Sequence, residues 1–181
     1  KLPPQVRRET QERALKELEQ ALEIWEQFPD AHNQVGKIKF DFKEYPQAAA
    51  SYKRALELNG SNATYQNNYG TCLFSMGQYA EAEKFFEKAI ELNKVYNDAL
   101  CNLGSVHGTY GEIAMKAGKN EEAAQHFNKA IHYFLETLKV DKDYENAYVF
   151  LVATYNNLGR SAEGAPYQTK LDELRKRKGK K

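Results

Sequence analysis

The sequence of 181 residues lacks several features that mark particular classes of protein. Its two cysteines, Cys72 and Cys101, are too few for a disulfide framework and form no Cys-x-x-Cys motif, although one disulfide between them stays open. No segment approaches the roughly 20 consecutive apolar residues that cross a bilayer, and no signal peptide is recognisable. A disulfide-stapled scaffold and a membrane-spanning protein are therefore not expected.

The chain also has little excess charge of either sign. It carries 26 Lys and Arg against 25 Asp and Glu, a net charge of +1. Such a balance creates no global field that would attract nucleic acid or an anionic membrane. With 5 prolines, 11 glycines and 41% apolar residues, the composition is typical of a folded helical protein.

Motifs for catalysis or cofactor binding are missing as well. There is no G-x-x-x-x-G-K-[ST], G-x-S-x-G or H-E-x-x-H sequence. The chain has four histidines, at His32, His107, His126 and His132. None of them has the spacing to carboxylate or thiolate residues that a metal site needs. We therefore predict no enzyme, no cofactor and no metal site, and we interpret His107 as a packed core residue.

What the sequence does contain is a repeat with a period of 34 residues. Small, glycine and aromatic positions recur, as in Ala14, Ala48 and Ala82; Ala21, Ala55 and Ala89; Gly36, Gly70 and Gly104; Tyr45 and Tyr79; and Tyr52 and Phe86. Each period is long enough for two antiparallel helices. Glycine and alanine are expected where the two helices approach most closely, and each hairpin needs its neighbour to bury the second apolar face.

These residues resemble the tetratricopeptide repeat family, with 63–94 as the segment of greatest similarity. The resemblance implies an all-α fold, a right-handed α-solenoid of antiparallel helix hairpins. We expect one domain over 1–181, divided into an unpaired capping helix, three repeats, a fourth repeat with a C-terminal capping helix, and a basic tail: 5–27, 29–62, 63–96, 97–144, 145–178 and 179–181. The final helix is expected from about Pro166 to Arg177.

The third repeat is longer than the others. Tyr96 and Tyr144 are 48 positions apart, 14 more than the period. Glycines at 104, 111 and 118 mark a seven-residue step, and Ala123, Phe127, Ala130 and Phe134 mark a matching one. Seven residues are about two helical turns. The spacing thus predicts a third hairpin extended by about two turns in each helix, not a loop. The extension either packs within the protein or exposes a second docking site at Ile113 and Met115.

The resemblance implies a function in protein–protein interaction, with a peptide or helix held in a concave groove formed by the first helices. The corresponding contact positions are Asn33, Lys37, Phe40, Asn67, Asn68, Thr71, Phe74, Cys101, Asn102, Ser105 and Phe150, with Val149 and Ala153 beside them. Asn68 and Asn102 correspond to asparagines that grip peptide backbones in some family members. Scaffolding without a groove ligand, and binding by the convex face, remain alternatives.

A chaperone C-terminal tail is not expected as the partner. The family positions that clamp a terminal carboxylate are occupied by Asn33, Lys37, Asn68, Asp98 and Asn102, and of these only Asn68 agrees with the clamp. Asp98 would repel a carboxylate. Self-association stays open.

The only charge run is 175–181, RKRKGKK, which is typical of a solvated tail. It leaves open a contact with nucleic acid or a membrane surface, although no aromatic residue offers a base-stacking platform. Another alternative is a regulatory or substrate-recognition region of a larger enzyme, such as a membrane-bound glycosyltransferase. We expect a soluble domain, cytoplasmic or extracytoplasmic if a leader or anchor has been removed.

Overall fold

The structure is a computed structural model that describes residues 3–179. Within these residues the chain forms nine α-helices and no strand. The helices are α1 Pro4–Ile24, α2 Pro29–Asp41, α3 Tyr45–Leu58, α4 Ala63–Ser75, α5 Tyr79–Leu92, α6 Asn97–Lys116, α7 Asn120–Val140, α8 Glu145–Asn157 and α9 Ser161–Lys178. The predicted all-α fold of repeated hairpins is confirmed.

The helices belong to two compact units, one that ends at Leu92 and one that begins at Asn93. In the first unit α2 pairs with α3 and α4 pairs with α5, while α3 packs on α4 and α1 packs on α2. In the second unit α6 pairs with α7 and α8 pairs with α9, and α7 packs on α8. Each unit thus shows the sequential packing that the repeat predicts.

Glycine marks the closest approach in each hairpin, because no side chain fits there. A Cβ atom on Gly36 would lie 2.7 Å from Tyr52, and one on Gly70 would lie 2.8 Å from Phe86. The opposing rings are buried. The repeat of glycine against aromatic is therefore a packing requirement between the two helices of a hairpin.

The third hairpin is longer by the predicted amount. The first helices α2, α4 and α8 have 13 residues each, whereas α6 has 20. The second helices α3 and α5 have 14 each, whereas α7 has 21. The glycine contact is duplicated as well, with Gly104 against Phe134 and Gly111 against Phe127. Both helices gain about 10 Å at 1.5 Å per residue, so every added turn has a partner.

The hairpin turns share a residue in the left-handed conformation. Gly77, Gly118 and Gly159 have φ values of +77°, +75° and +69°. The turn between α2 and α3 has Lys43 at the same place, with φ of 62°. A side chain with a Cβ atom is disfavoured there by about 1–2 kcal/mol, so this turn is the strained member of the set.

We expect Lys43→Gly to raise the free energy of unfolding by about 0.5–1 kcal/mol, since relief of the strain exceeds the added entropy of the unfolded chain. The matched change Gly77→Lys should lower it, by about 1 kcal/mol or more. Urea unfolding followed by circular dichroism measures both. Changes of the same sign in the two variants would contradict this account of the turns.

The last helix begins earlier than the sequence predicts. It starts at Ser161, so Pro166 lies inside it and not at its first turn. Proline removes one backbone hydrogen bond, but the first turns of α9 pack against α8: a Cβ atom on Gly164 would lie 3.1 Å from Tyr155, and the ring of Tyr167 stacks on that of Tyr155 at 5.8 Å. Tertiary packing therefore outweighs the local preference.

None of the helices in residues 3–179 combines the length and the apolar character that a membrane crossing requires.

Candidate binding surface

In the first unit, the predicted contact residues lie on α2 and α4, and the asparagines among them are partly used by the fold. Asn33 is buried, and the Asn68 Nδ2 atom donates a hydrogen bond to its Oδ1 atom at 2.9 Å. Asn67 is also buried. The amides of Asn33 and Asn68 thus connect α2 to α4. Of the three asparagines, Asn68 alone remains half-exposed.

The other predicted residues of this unit form a surface of mixed character. Lys37 is exposed, and Phe40, Thr71 and Phe74 are half-exposed. We call these four residues and Asn68 the α2–α4 surface.

The two aromatic residues of the α2–α4 surface are held in the same way. The Phe40 ring lies 5.4 Å from that of Tyr45, and the Phe74 ring lies 5.2 Å from that of Tyr79, both tilted. Each ring is therefore positioned by the first residue of the following helix. The period of the repeat presents the same half-exposed edge twice.

In the second unit the predicted residues divide between core and surface. Cys101 is 2% exposed and packs with Ala130, Phe134 and Leu151, so it lies in the core and offers no surface to a partner. Asn102 and Ser105 are half-exposed on α6. The Ser105 hydroxyl donates to the carbonyl oxygen of Cys101 at 3.0 Å.

The predicted residues of α8 all lie on the surface. Phe150 is exposed at 37% and stacks on Phe134 with a ring distance of 5.4 Å. Val149 is half-exposed and Ala153 is exposed. The second unit therefore also exposes an aromatic edge beside small residues on a first helix.

The extended part of the third hairpin is partly covered within the second unit. Ala114, Ala123 and Phe127 form a buried cluster against which Leu158 packs, and the Arg160 Nη1 atom donates to the Asn128 Oδ1 atom at 3.1 Å. The turn between α8 and α9 thus covers part of the extension. Ile113 and Met115 remain 51% and 38% exposed.

Spacing along α6 relates Ile113 to the predicted groove residues. It follows Asn102 by 11 residues, which is close to three full turns of 3.6 residues. Ser105 and Thr109 lie between them along the same row of the helix, both half-exposed. The sequence predicted that Ile113 lies near the tip of the hairpin. It did not predict that Ile113 lies in line with Asn102, because the family pattern ends before the extension.

Both cysteines and His107 lie in the interior of the protein. Burial raises the pKa of Cys72 to about 11, and burial together with nearby Asp98 raises that of Cys101 to about 12, so both thiols are protonated and poorly nucleophilic at neutral pH. His107 is buried and stacks on Tyr133 at 5.5 Å. No group of three potential metal ligands occurs among residues 3–179.

Two acidic side chains near the first helices take part in contacts between hairpins. Asp98 accepts a hydrogen bond from the Tyr144 hydroxyl at 2.6 Å, and Asp30 accepts one from the Tyr65 hydroxyl. Burial and the bond to Asp98 raise the pKa of Tyr144. Tyr144 and Tyr65 lie 46 and 35 residues along the chain from the aspartates that they contact. The repeat period alone did not predict these two contacts.

Part of the C-terminal basic run is paired within the protein. Arg175 Nε and Lys178 Nζ lie 3.0 Å and 2.7 Å from the carboxylate of Glu145. The hydrogen bonds from Lys178 and then Arg175 lower the pKa of Glu145. Lys180 and Lys181 lie outside the described residues. Two basic residues of the run thus pair with a carboxylate of α8.

Comparison with known proteins agrees with this architecture. A family model described as "Tetratricopeptide repeat" matches residues 28–94 and 61–132. The search of curated proteins found no match.

Several solved structures are similar in fold. The crystal structure of MamA is 21% identical, covers 100% of this chain and 99% of that one, and has a TM-score of 0.74. PilF of Pseudomonas aeruginosa is 21% identical over 93% of this chain and 71% of that one, with a TM-score of 0.71. YrrB, described as a TPR protein with an unusual peptide-binding site, is 20% identical over 92% and 78%, with a TM-score of 0.66.

The family model spans more than half of the chain, and the hairpins with their glycine–aromatic contacts agree with it. The protein belongs to the tetratricopeptide repeat family.

Proposed function

We propose that this protein is a non-catalytic interaction module that binds an extended peptide or a helix of a partner protein on its first helices. Tetratricopeptide repeats typically act as non-catalytic interaction modules, and the family model that matches the chain is a tetratricopeptide repeat. The fold is shared with a protein described as having a peptide-binding site. Both findings support the class of function, and the residues that carry it are our proposal.

The observation that carries the proposal is the α2–α4 surface. It combines the half-exposed rings of Phe40 and Phe74, one period apart, with the amide of Asn68 and the hydroxyl of Thr71. An amide both donates and accepts, as a peptide backbone requires, and aromatic edges take apolar side chains. Lys37 is the one charged member of the surface, so we expect uncharged or weakly acidic peptides to be preferred.

A test needs a substitution that blocks this surface without weakening the fold. Asn68→Ala is unsuitable, because it would leave the buried Oδ1 atom of Asn33 without the donor at 2.9 Å. Thr71 is more suitable, since it is half-exposed on the surface and takes no part in that hydrogen bond. Thr71→Arg adds a long charged side chain to the surface and leaves the hydrogen bond between Asn68 and Asn33 in place.

The experiment selects peptides from a random phage-displayed library on the wild-type protein and measures the affinity of enriched peptides by fluorescence polarisation. We expect Thr71→Arg to weaken binding by at least about 10-fold. The control Glu87→Arg, at an exposed position of α5, should bind as the wild type does. Failure to enrich any peptide, or equal binding by both variants, would contradict the proposal.

We also propose Ile113 and Met115 as a second docking element for a protein partner, because they form an exposed apolar pair on the extended hairpin. Replacing both by serine should weaken an association made through this element and leave the melting temperature within a few degrees of the wild type, since neither side chain is buried. A large drop in melting temperature would show that the pair stabilises the hairpin instead.

A further inference from the structure

The turn between α3 and α4 contains the one Asn-Gly pair in the sequence, Asn59 and Gly60. Both residues are exposed, and so is Ser61 after them. Asn59 follows the last residue of α3, and its φ and ψ values of −149° and 83° are not helical. The pair therefore lies in solvent between two helices of the first unit.

Two later turns of the protein have the same local structure. Asn93 and Asp141 occupy the place of Asn59 in the next two periods, the second of which is lengthened by the 14 additional residues. In all three turns the side-chain oxygen accepts a hydrogen bond from the N–H group two residues further on, at 3.3 Å, 3.2 Å and 2.9 Å. Asp141 shows that a carboxylate is accommodated at this place as well as an amide.

The main chain of the turn at Asn59 has fewer hydrogen bonds than that of the other two turns. At Asn93 and at Asp141, the carbonyl oxygen also accepts a hydrogen bond from the N–H group three residues further on, at 3.1 Å and 3.2 Å. Within the part of the chain that the structure describes, the equivalent bond from Asn62 to Asn59 is not formed. The backbone around Gly60 is therefore less restrained.

The residue after each amide determines how closely the main-chain nitrogen can approach it. Gly60 has no side chain, and no residue in 3–179 accepts a hydrogen bond from its N–H group. Asn93 is followed by Lys94, whose side chain crowds the same approach. The nitrogen of Gly60 is therefore the more accessible nucleophile of the two.

From the exposed pair, the weakly held turn and the accessible nitrogen, we propose that Asn59 is a site of spontaneous deamidation. The backbone nitrogen of Gly60 attacks the side-chain carbonyl carbon Cγ of Asn59. A new C–N bond forms, the bond between Cγ and Nδ2 breaks, and the amide leaves as ammonia with the proton of the attacking N–H, which gives a cyclic succinimide. Water, the only co-reactant, then opens the ring at either carbonyl to give aspartate or isoaspartate.

The two products have different effects on the first unit. Aspartate keeps the hydrogen bond to Ser61, since Asp141 makes the same contact at 2.9 Å in its own turn. Isoaspartate lengthens the main chain and displaces Gly60, whose carbonyl oxygen accepts a hydrogen bond from the buried Gln66 Nε2 atom at 2.7 Å. The turn joins α3 to α4, which pack on each other, so isoaspartate weakens this packing and aspartate does not.

Peptide mapping by mass spectrometry tests the site in the folded wild-type protein, incubated at mildly alkaline pH. We expect Asn59 to deamidate at least about 10-fold faster than Asn93 in the same molecules, a difference of about 1.4 kcal/mol in activation free energy. Asn93 is the matched internal control because it is exposed and has the same side-chain hydrogen bond. Equal rates at the two residues, or no conversion of Asn59, would overturn the proposal.

Two variants test whether the glycine is the cause. A Cβ atom on Gly60 would lie 3.4 Å from the Leu56 carbonyl oxygen, an ordinary van der Waals distance, so Gly60→Ala should fold. We expect it to slow the deamidation of Asn59 by at least about 10-fold. Lys94→Gly, at an exposed position, should make Asn93 a second labile site. An unchanged rate in both variants would contradict the proposed attack, and Lys94→Gly decides alone if Gly60→Ala fails to fold.

Thermal melting tests the different effects of the two products. Asn59→Asp should melt within a few degrees of the wild type, because the site is exposed. Wild-type protein incubated until most of Asn59 is converted should melt at a lower temperature, in proportion to its isoaspartate content. Equal melting of the converted and the fresh protein would contradict the predicted effect on α3 and α4. Neither Asn59 nor Gly60 belongs to the α2–α4 surface, so these results do not depend on peptide binding.

Discussion

Replacing Gly104 by alanine is expected to lower the free energy of unfolding by about 1–3 kcal/mol. The added Cβ atom would lie 2.5 Å from the ring of Phe134, which is 1% exposed and has no space to move. The higher helix propensity of alanine stabilises the helix by at most about 1 kcal/mol. The destabilisation caused by overpacking is therefore larger than the stabilisation gained from helix propensity.

Gly108 is the matched control because it lies on the same helix, four residues further along. A Cβ atom there would have no neighbour within 4 Å. Gly108→Ala should therefore raise the free energy of unfolding by about 0.5–1 kcal/mol, from helix propensity alone. Urea unfolding followed at 222 nm by circular dichroism compares the two variants. Destabilisation at both positions, or at neither, would contradict the assignment of Gly104 to a helix crossing.

Shortening the third hairpin by seven residues in both helices is expected to preserve folding, whereas shortening one helix alone is not. Deleting 105–111 and 127–133 together keeps the contact of Gly104 with Phe134 and leaves 15 residues between them, the number between Gly70 and Phe86. The variant loses the second crossing, of Gly111 with Phe127, together with the cover that Leu158 provides. We expect cooperative unfolding at a lower melting temperature.

The single deletion of 105–111 should abolish cooperative folding of the second unit. It would leave the buried face of α7 around Phe127 without a facing helix, so that large apolar side chains would be exposed. Calorimetry and far-UV circular dichroism of the two variants, each compared with the wild type, measure the difference. Cooperative folding of the single deletion would show that the extension is an independent appendage and not a matched pair of turns.

Much of the architecture follows from local spacing. The recurrence of Gly36, Gly70 and Gly104 with aromatic residues 16 or 30 positions later predicts a hairpin in each period. The 14 additional residues of the third repeat predict that both of its helices are longer. The reason is that the seven-residue spacing of glycines in the first helix matches the spacing of alanine and phenylalanine in the second. Boundaries were less predictable, as shown by α9, where the contact of Gly164 with Tyr155 carries the helix past Pro166.

The candidate surface was only partly predictable. The family pattern names positions on a helix face, but it does not state which of them pair with each other. Asn33 and Asn68 lie in adjacent helices and share a hydrogen bond, and Cys101 lies in the core of the second unit. The exposure of a polar side chain depends on residues that are distant in sequence. Periodicity contains no information about these contacts.

The sequence by itself determined the helical hairpins, their number of turns and the family, because these depend on the spacing of small and apolar residues along one chain. Only the tertiary structure decided which asparagine stays accessible and how far the extended hairpin is covered. The physical reason is that side-chain burial and hydrogen bonding are set by the neighbouring helix, whose distance and rotation no local pattern specifies.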